Sequence, residues 1–363
     1  MSNTVGTSLK MSLFGESHGA AIGVVLDGLP AGQVIDWDAV RQEMARRAPG
    51  RNNLSTTRKE ADEFEILSGY FEGHTTGTPL AMMIRNSNQH SSDYEQTRYM
   101  MRPGHADFTG AARYQGFQDY RGGGHFSGRL TAPLVFAGAI AKQILAEKGV
   151  IIGSHISCIG AAHDRAFHPL GESTDVLSAL QQETLPVLDK EQAAAMEKVI
   201  GEAKAAADSV GGIVECMIQG LPAGLGNPFF DSVESCLSHA LFSVPAVKGI
   251  EFGDGFSLAH MHGSQANDAM HMDGKAVKTD TNHNGGILGG ITNGMPIIFR
   301  VVIKPTASIG QPQSTVNIQT HENCTIEITG RHDPCIVPRA IPVVEAVAAW
   351  TMLDIWLSTK QGR

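Results

Sequence analysis

The chain has 363 residues, of which 42% are hydrophobic and 18% charged, and its formal net charge is −9 at pH 7. This composition allows one large domain or two, and the acidic balance argues against non-specific binding to nucleic acid. No run of eighteen apolar residues occurs and the N-terminal segment has no signal-peptide core, so we expect a cytoplasmic protein without a membrane span.

Five cysteines are scattered along the chain without a CxxC pair. Neither a disulfide framework nor a zinc site is therefore predicted, and we expect most of these thiols to be free and buried. Glycine is common, with 41 residues against an ordinary share of about 7%. Many backbone positions are therefore expected to be conformationally special.

The first candidate functional segment is the turn GESHG at residues 15–19, which precedes a strand predicted at residues 21–26. Two glycines bracket Ser17 and His18, so both side chains are expected on a tight, exposed turn. The segment lacks the lysine of a P-loop and does not match the GxSxG elbow of hydrolases. Either the turn is functional or its histidine merely caps the strand.

A helix is predicted to start at Asp36 or Asp38, which can cap it, and to end near Arg47. Five cations lie within fourteen residues at and beyond this end. Cations at a helix C-terminus often serve only the helix dipole, but this density favours a surface that faces anions. Strands are predicted next, at residues 64–71 and 79–84. The five cations are Arg46, Arg47, Arg51, Arg58 and Lys59.

Residues 101–132 combine four arginines, two histidines and seven glycines. Their hydrophobic pattern repeats at neither two nor 3.6 residues, so no regular structure is predicted here. Glycine backbone and arginine forks both suit anions, and histidine moves protons near neutral pH. A solvated surface loop is the alternative, but a loop of this length in a compact domain is usually functional. We therefore expect this segment to form one wall of a site for anions.

The rest of the chain alternates predicted helices and strands. Residues 160–190 give no clear pattern and are expected to be an exposed connection. Helices are predicted at residues 130–147, 191–208, 231–242 and 339–357, and strands at residues 150–156, 213–218 and 297–303.

Three sequence echoes, in the same order, favour two related halves. We predict these halves at roughly 1–150 and 210–363, packed as one body. Chance recurrence of common turn sequences is the alternative. The echoes are GLPAG at 28–32 and 220–224, TGTP and NGMP at 76–79 and 293–296, and the helix starts at Arg129 and Arg339.

Three further loops in the second half carry polar or glycine-rich sequences. KPTAS at residues 304–308 offers one cation and two hydroxyls at the end of a strand, which suits a phosphate. Each loop is a weak signal alone, because glycine turns are common and Lys-Pro-Thr can be a plain strand exit. The other two are NHNGGILGG at 282–290 and GRHDPC at 330–335.

Histidines outside these motifs are expected to be solvated or locally hydrogen-bonded. A metal site built from His260 and His262 is an alternative, but alternation along a strand explains the pair as well. No metal is predicted.

Nine short sequence motifs, which we call words, together resemble the chorismate synthase family, and the resemblance covers nearly the whole chain. Nine such motifs in one order are far more specific than any single motif. They are GESHG (15–19), RRAPG (46–50), RPGHAD (102–107), YRGGGHFSGR (120–129), GLPAGLG (220–226), VKGIEFGDGF (247–256), NHNGGILGGI (282–291), KPTAS (304–308) and GRHDPC (330–335).

The resemblance implies an α+β fold, a β-α-β sandwich with helices between antiparallel sheets. It implies one chorismate synthase domain over residues 1–363, made of two pseudo-repeated halves, and a homotetramer. The implied reaction converts 5-enolpyruvylshikimate 3-phosphate to chorismate, the last common step of the shikimate pathway. Phosphate leaves C3 and a proton leaves C6 in an anti-1,4-elimination, so the enzyme is a carbon–oxygen lyase. Reduced FMN is required although there is no net redox change.

The ligands implied by the resemblance are strongly anionic. Substrate and reduced FMN together carry about six or seven negative charges at near −2 per phosphate. An acidic protein can hold them only with concentrated cations, which the arginine clusters supply.

The resemblance also implies residue roles. His18 would protonate the leaving phosphate and His105 would balance the flavin near N1, and these two roles could be exchanged. Ser17 and Asp333 would form the relay that removes the C6 proton through the flavin. Substrate contacts are implied for Arg47, Arg102, Arg129 and Arg339, and FMN contacts for His125, Phe126, Ser127, Ala246, Gly289, Lys304, Pro305, Thr306, Ala307, Ser308 and Arg331.

Two positions depart from the common family pattern. Many members have an arginine and two serines where this chain has residues 125–127, which concerns one flavin contact. Many also have an arginine near position 53, in a region linked to NADPH, where this chain has Asn53. We therefore expect FMNH2 to be supplied from elsewhere, with NADPH involved only indirectly through flavin reduction.

Two other functions remain open at this point. One is a different flavin enzyme, a reductase or dehydrogenase that uses the same anion-rich pocket. The other is a catalytically silent FMN-binding or scaffold protein.

Overall fold

Helices occupy the space between two five-stranded antiparallel sheets, which confirms the predicted fold class. The computed structural model describes residues 3–50, 62–86, 95, 97–328 and 333–361. The described helices are α1 (Trp37–Arg47), α2 (Asp107–Tyr114), α3 (Thr131–Ala146), α4 (Thr174–Gln182), α5 (Lys190–Ala205), α6 (Val233–Phe242), α7 (Gly263–Ala266) and α8 (Val337–Gln361).

The N-terminal strands build the first sheet and a small hairpin. They are β1 (Thr4–Val5), β2 (Lys10–Gly15), β3 (Ala21–Asp27), β4 (Glu65–Ser68), β5 (Tyr70–Phe71), β6 (His74–Thr75) and β7 (Leu80–Arg85). The sheet has the order β1-β2-β3-β7-β4, and each neighbouring pair is antiparallel. The pair β5–β6 forms the hairpin.

The later strands build the second sheet and three hairpins. They are β8 (Ile151–Ile159), β9 (Ala162–His163), β10 (Gly212–Gln219), β11 (Val247–Phe252), β12 (Met270–Asp273), β13 (Ala276–Thr279), β14 (Ile287–Leu288), β15 (Ile291–Thr292), β16 (Ile297–Ile303), β17 (Gln313–Asn317) and β18 (Glu322–Ile326). The sheet has the order β11-β16-β10-β8-β9. The hairpins are β12–β13, β14–β15 and β17–β18.

The two sheets share one connectivity. In the first sheet the strands lie in the order β2-β3-β7-β4, and along the chain α1 follows β3 and α3 follows β7. In the second sheet the strands lie in the order β8-β10-β16-β11, and along the chain α6 follows β10 and α8 follows β16. This correspondence supports the proposal of two related halves and takes in β8, which precedes residue 210. Duplication itself stays a prediction.

The core is built on α3 and α8, which cross at close range. Helix α3 is apolar on all sides because it touches β3 of the first sheet and β8 of the second. Where the two helices cross, a Cβ on Gly138 would lie 2.2 Å from the Cα of Ala346. Only a residue without a side chain allows the two backbones to approach so closely.

A buried ion cluster joins α1, α3 and α8 beside this crossing. Glu345 on α8 is fully buried and lies 2.6 Å from Arg46 on α1 and 2.5 Å from Lys142 on α3. Burial alone would raise the pKa of Glu345, but the two cations lower it. The cluster therefore fixes the C-terminal end of α1, which carries Arg47.

Two helical stretches pass a simple length-and-hydropathy test for membrane spans. Arg121–Ala146 and Val337–Thr359 do so with 78% and 89% of their apolar windows buried inside this fold. Both stretches contain the core helices α3 and α8, so their hydrophobicity is explained by the core.

Three local predictions were wrong. Residues 101–132 do contain regular structure, because α2 and two 3-10 turns, Arg121–Phe126 and Gly128–Leu130, lie within them. Residues 160–190 are not a plain exposed connection, since they form β9 and α4, and α4 buries Leu177. His260 ends a 3-10 turn and His262 caps α7, so the two do not alternate along a strand.

The helix crossing gives a stability prediction. Gly138→Ala should destabilise the protein by about 1–3 kcal/mol, as overpacking does, because the new methyl group would overlap the α8 backbone. Gly201→Ala on α5 is the matched control, since nothing lies within 4 Å of its Cβ position. It should stabilise the protein by about 0.5–1 kcal/mol through helix propensity. Urea unfolding measures both, and equal effects would contradict the close crossing.

Candidate active site

Two glycine-rich turns are joined by a ladder of hydrogen bonds. The backbone N–H of Ser17 donates to the carbonyl of Gly124 at 3.1 Å, and the Ser17 hydroxyl donates to the carbonyl of Gly122 at 3.2 Å. The Nδ1 of His125 donates to the carbonyl of Gly15 at 2.7 Å. The turn after β2 is therefore held against residues 122–125.

The second turn consists of three successive glycines in left-handed conformations, with φ of 58°, 84° and 53° at Gly122, Gly123 and Gly124. A Cβ on Gly122 would lie 2.1 Å from the His18 ring, and a Cβ on Gly123 would lie 3.0 Å from the His105 ring. Other residues rarely adopt such φ values. The two histidines proposed as catalytic therefore lie against successive glycines of one turn.

The prediction of an exposed turn was wrong for His18, which is buried and has its ring oriented by its neighbour. Its Nδ1 lies 2.8 Å from the Ser17 hydroxyl. The Ser17 hydroxyl has one proton, and when it donates this proton to the Gly122 carbonyl, Nδ1 of His18 is the donor in the contact with the Ser17 oxygen. Nδ1 is therefore the ring nitrogen that faces Ser17.

His105 belongs to a triad with Arg102 and Asp107. Arg102 donates from Nε and Nη2 to the two carboxylate oxygens, each at 2.7 Å, and the Nδ1 of His105 lies 2.9 Å from Oδ1. Nη2 of Arg102, which only donates, also lies 3.1 Å from Nδ1, whereas the ionised carboxylate only accepts. The shorter contact with Asp107 favours a proton on Nδ1. Burial alone would raise the pKa of Asp107, but hydrogen bonds from Arg102 and His105 hold it well below its usual range. The triad therefore orients Nε2 of His105 toward the glycine turn.

Three arginines meet around two carboxylates, the buried Asp62 and the partly exposed Asp333. Asp62 contacts Arg47 through one oxygen and Arg129 through the other. Arg339 donates from Nε to the Arg47 carbonyl at 3.0 Å and from Nη1 to Asp333 at 2.5 Å. Burial alone would raise the pKa of Asp62, but the charges of Arg47 and Arg129 lower it.

One asparagine connects the arginines to the histidine turn. Asn86, which directly follows β7, accepts from Nε of Arg129 at 3.3 Å. Its amide donates to the carbonyls of Glu16 and Gly19, each at 3.0 Å. A continuous series of polar contacts therefore runs from Asp333 through the arginines to the turn that carries Ser17 and His18.

The 304–308 turn lies against residues 101–132, which it contacts at Gly104. The Lys304 ammonium donates to the Gly104 carbonyl, and the Lys304 backbone N–H donates to Ala246 at 2.9 Å. Ser209 donates to the Thr306 carbonyl at 2.7 Å. The Thr306 hydroxyl is buried and has no hydrogen-bond partner among the described residues.

Other residues predicted to contact FMN lie outside the 304–308 turn. Phe126 packs on α2, where a Cβ on Gly110 would lie 2.9 Å from its ring, and it lines a cavity of about 70 Å³. Ser127 caps the 3-10 turn that leads into α3. Gly289 lies in the turn between β14 and β15, where a Cβ would have open space around it. Arg331 lies outside the described residues.

Metal ligation finds no support in the described ranges. Over residues 3–50, 62–86, 97–328 and 333–361 no group of three or more His, Cys, Asp or Glu side chains could hold a metal ion. The absence of a metal stays a prediction.

Three features of the site were missed by sequence reasoning. Asp62 belongs to none of the nine words, Asn86 follows an ordinary strand, and the contact of Gly122 and Gly123 with the histidine rings depends on tertiary structure. Only the run of three glycines gave a signal, because such a run favours left-handed backbone.

The whole chain resembles one family. The family model for chorismate synthase matches residues 9–357. The chain belongs to the chorismate synthase family. It is 45% identical over 357 residues to the chorismate synthase of Dehalococcoides mccartyi, covering 98% of this chain and 97% of that one. It is 47% identical over 368 residues to that of Cytophaga hutchinsonii, covering 100% and 99%.

A solved structure extends the likeness to the fold. A crystal structure of chorismate synthase superimposes with a TM-score of 0.76 at 29% identity, covering 98% of this chain and 93% of that chain. The sandwich implied by the chorismate synthase resemblance is thus confirmed.

The proton assignment in the triad gives a prediction. In Asp107→Asn the amide oxygen should keep its hydrogen bond from Arg102. The NH2 group is then turned toward Nδ1 of His105. The His105 proton should then move to Nε2, as a donor facing Nδ1 requires. Ring ¹⁵N shifts measure this, with His74 as control, because its Nδ1 contacts the Glu72 carbonyl far from the triad. A proton that stays on Nδ1 in the variant would contradict the assignment.

Proposed function

We propose that this protein converts 5-enolpyruvylshikimate 3-phosphate to chorismate as a carbon–oxygen lyase that depends on reduced FMN. The observation that carries the proposal is the meeting of His18 and His105 at one glycine turn, within a family whose members are named for chorismate formation. Loss of phosphate from C3 and of a proton from C6 balances without net oxidation or reduction.

The residues around 304–308 fit the phosphate of FMN. Thr306 has a buried hydroxyl without a partner in the described part of the chain, and Lys304 supplies a cation at the same turn. A phosphate group would satisfy both, since phosphates accept from hydroxyls and ammonium groups. The proposed flavin contacts extend from this turn to Ala246 and to residues 125–127.

The chemistry that reduced FMN supplies when bound is electron density for the breaking C3–O bond. The chain itself supplies charge and protons. Nε2 of His18 is the group that we assign to protonate the departing phosphate, because Nδ1 contacts Ser17. This transfer requires a ring that carries a proton on each nitrogen, and it leaves the proton on Nδ1 in place. His105 lies next to Gly123, and we assign it to balance negative charge on the cofactor, which requires a ring that carries a proton on each nitrogen. The exchanged roles are the alternative.

Removal of the C6 proton is assigned to Ser17 and Asp333. Asp333 is held by Arg339, and Ser17 is held by Gly122 and His18. The substrate's phosphate and carboxylates are assigned to Arg47, Arg102, Arg129 and Arg339. Cations placed in this way stabilise the charge that develops on the leaving phosphate.

The proposal includes a homotetramer in the cytoplasm that receives FMNH2 from elsewhere. Asn53, on which the expectation of externally supplied FMNH2 rests, lies outside the described residues. So do Arg51, Arg58 and Lys59.

The test is an anaerobic assay. Protein, photoreduced FMN and 5-enolpyruvylshikimate 3-phosphate should yield chorismate, detected by its absorbance, and free phosphate in equal molar amounts. Omission or oxidation of FMN should abolish the formation of both products. Steady NADPH oxidation without phosphate release would favour a different flavin enzyme. Flavin binding that is indifferent to His18→Ala and His105→Ala, with no turnover, would favour a scaffold.

The glycine turn gives a second prediction. Gly122→Ala should lower turnover about a hundredfold, because its methyl group would displace the His18 ring and misplacement by about 1 Å costs that much. Gly128→Ala is the control, since nothing lies within 4 Å of its Cβ position, and it should stay near the parent rate. Both proteins are to be checked for an unchanged fold by circular dichroism. Comparable turnover in the two variants would show that His18 does not depend on this glycine.

A further inference from the structure

Asp62 lies between two of the arginines that we assign to the substrate. Its side chain is almost fully buried, with 2% of its surface exposed, and each carboxylate oxygen contacts a different guanidinium, that of Arg47 or that of Arg129. None of the nine family-like words contains this residue. Its role is therefore open.

The geometry of Asp62 differs from that of the other carboxylates that pair with arginine nearby. Asp107 takes both Nε and Nη2 of Arg102, and Asp119 takes both Nε and Nη2 of Arg121. Each of these acids binds one guanidinium edge from a position close in sequence. Asp62 instead bridges two arginines from α1 and from the segment before α3, and so it imitates an anion bound between them.

Asp62 also leaves Arg47 incompletely satisfied. Arg47 is buried, its Nη2 contacts Asp62 and its Nη1 lies 3.5 Å from the Thr131 hydroxyl. Its Nε is buried without a hydrogen-bond partner among the described residues. Buried donors of this kind normally have acceptors, so the arginine has capacity for an oxyanion with more oxygens than Asp62 presents.

We propose that Asp62 is an internal competitor for the substrate. Its carboxylate occupies the position between Arg47 and Arg129 when no ligand is bound, and an oxyanion of the substrate, phosphate or carboxylate, takes that position by displacing it. This inference rests on the assignment of Arg47 and Arg129 to the substrate under the proposed function. The carboxylate keeps the charges of Arg47 and Arg129 compensated between turnovers, when no substrate charge is present.

The proposal predicts a gain of affinity on removal of the acid. A site whose competent state is populated less than a tenth of the time binds more than tenfold more weakly than its open form. Asp62→Asn removes the negative charge while keeping the shape, so it should bind inorganic phosphate or malonate at least about tenfold more tightly than the parent protein. Isothermal titration without flavin measures this with both probes, and the larger gain identifies the group that takes the position.

Two variants control the measurement. Glu65→Gln removes the acid of the exposed Glu65–Arg85 pair and should leave both affinities unchanged. The double variant Asp62→Asn with Arg129→Gln should lose the gain, because one of the two cations is gone. Affinities in Asp62→Asn that equal or fall below those of the parent would overturn the proposal and make Asp62 a structural counter-ion.

Folding of the variant is part of the test. If Asp62→Asn folds only when phosphate or malonate is present, as followed by thermal unfolding with and without each anion, the anion replaces the carboxylate and the proposal is supported. If neither Asp62→Asn nor Asp62→Ser folds in either condition, the carboxylate is irreplaceable and the proposal fails. These outcomes do not depend on chorismate formation, so failure here and failure of the anaerobic assay are distinguishable.

Discussion

The site depends on the contact of two histidine rings with a backbone that carries no side chains. Gly122 and Gly123 adopt left-handed conformations, and their missing Cβ atoms leave the space that the rings of His18 and His105 fill. Hydrogen bonds from Ser17 and His125 hold the two turns together. Because packed rings and bonded backbone define the positions, the histidines are preorganised before any ligand arrives.

Charge compensation is the second constraint. Each of the four arginines that we assign to the substrate contacts an aspartate directly, and these aspartates are Asp62, Asp107 and Asp333. Buried unpaired guanidinium groups would be costly, so an acidic chain can keep a cationic site folded without ligands. The buried cluster of Glu345, Arg46 and Lys142 continues this arrangement into the core and fixes the end of α1.

The sequence was most informative where one local pattern dominates. Helix α1, capped by Asp36, one of the two predicted caps, strand β16 and the apolar core helices α3 and α8 were predicted closely, because burial and capping are encoded within each element. Helix α2 was missed, since its two turns lie among glycines and polar residues. The sandwich came from the family resemblance, because the pairing of β3 with β7 and of β10 with β16 joins segments far apart in sequence.

The candidate site divides in the same way. His18, His105 and the arginines could be named from short words whose chemistry is recognisable. The proximity of the two histidines could not, because it depends on the tertiary contact between residues 15–18 and 122–125. Asp62 was not predicted at all, since a single aspartate before a strand resembles any surface acid until Arg47 and Arg129 are found against it.

The most direct measurement of the central claim is a crystal structure of the protein with FMN and 5-enolpyruvylshikimate 3-phosphate bound. The account predicts that Nε2 of His18 and Nε2 of His105 each lie about 3 Å from the ligands in one shared pocket, within hydrogen-bonding reach. A flavin bound away from the glycine turn, with either histidine contacting neither ligand, would contradict it.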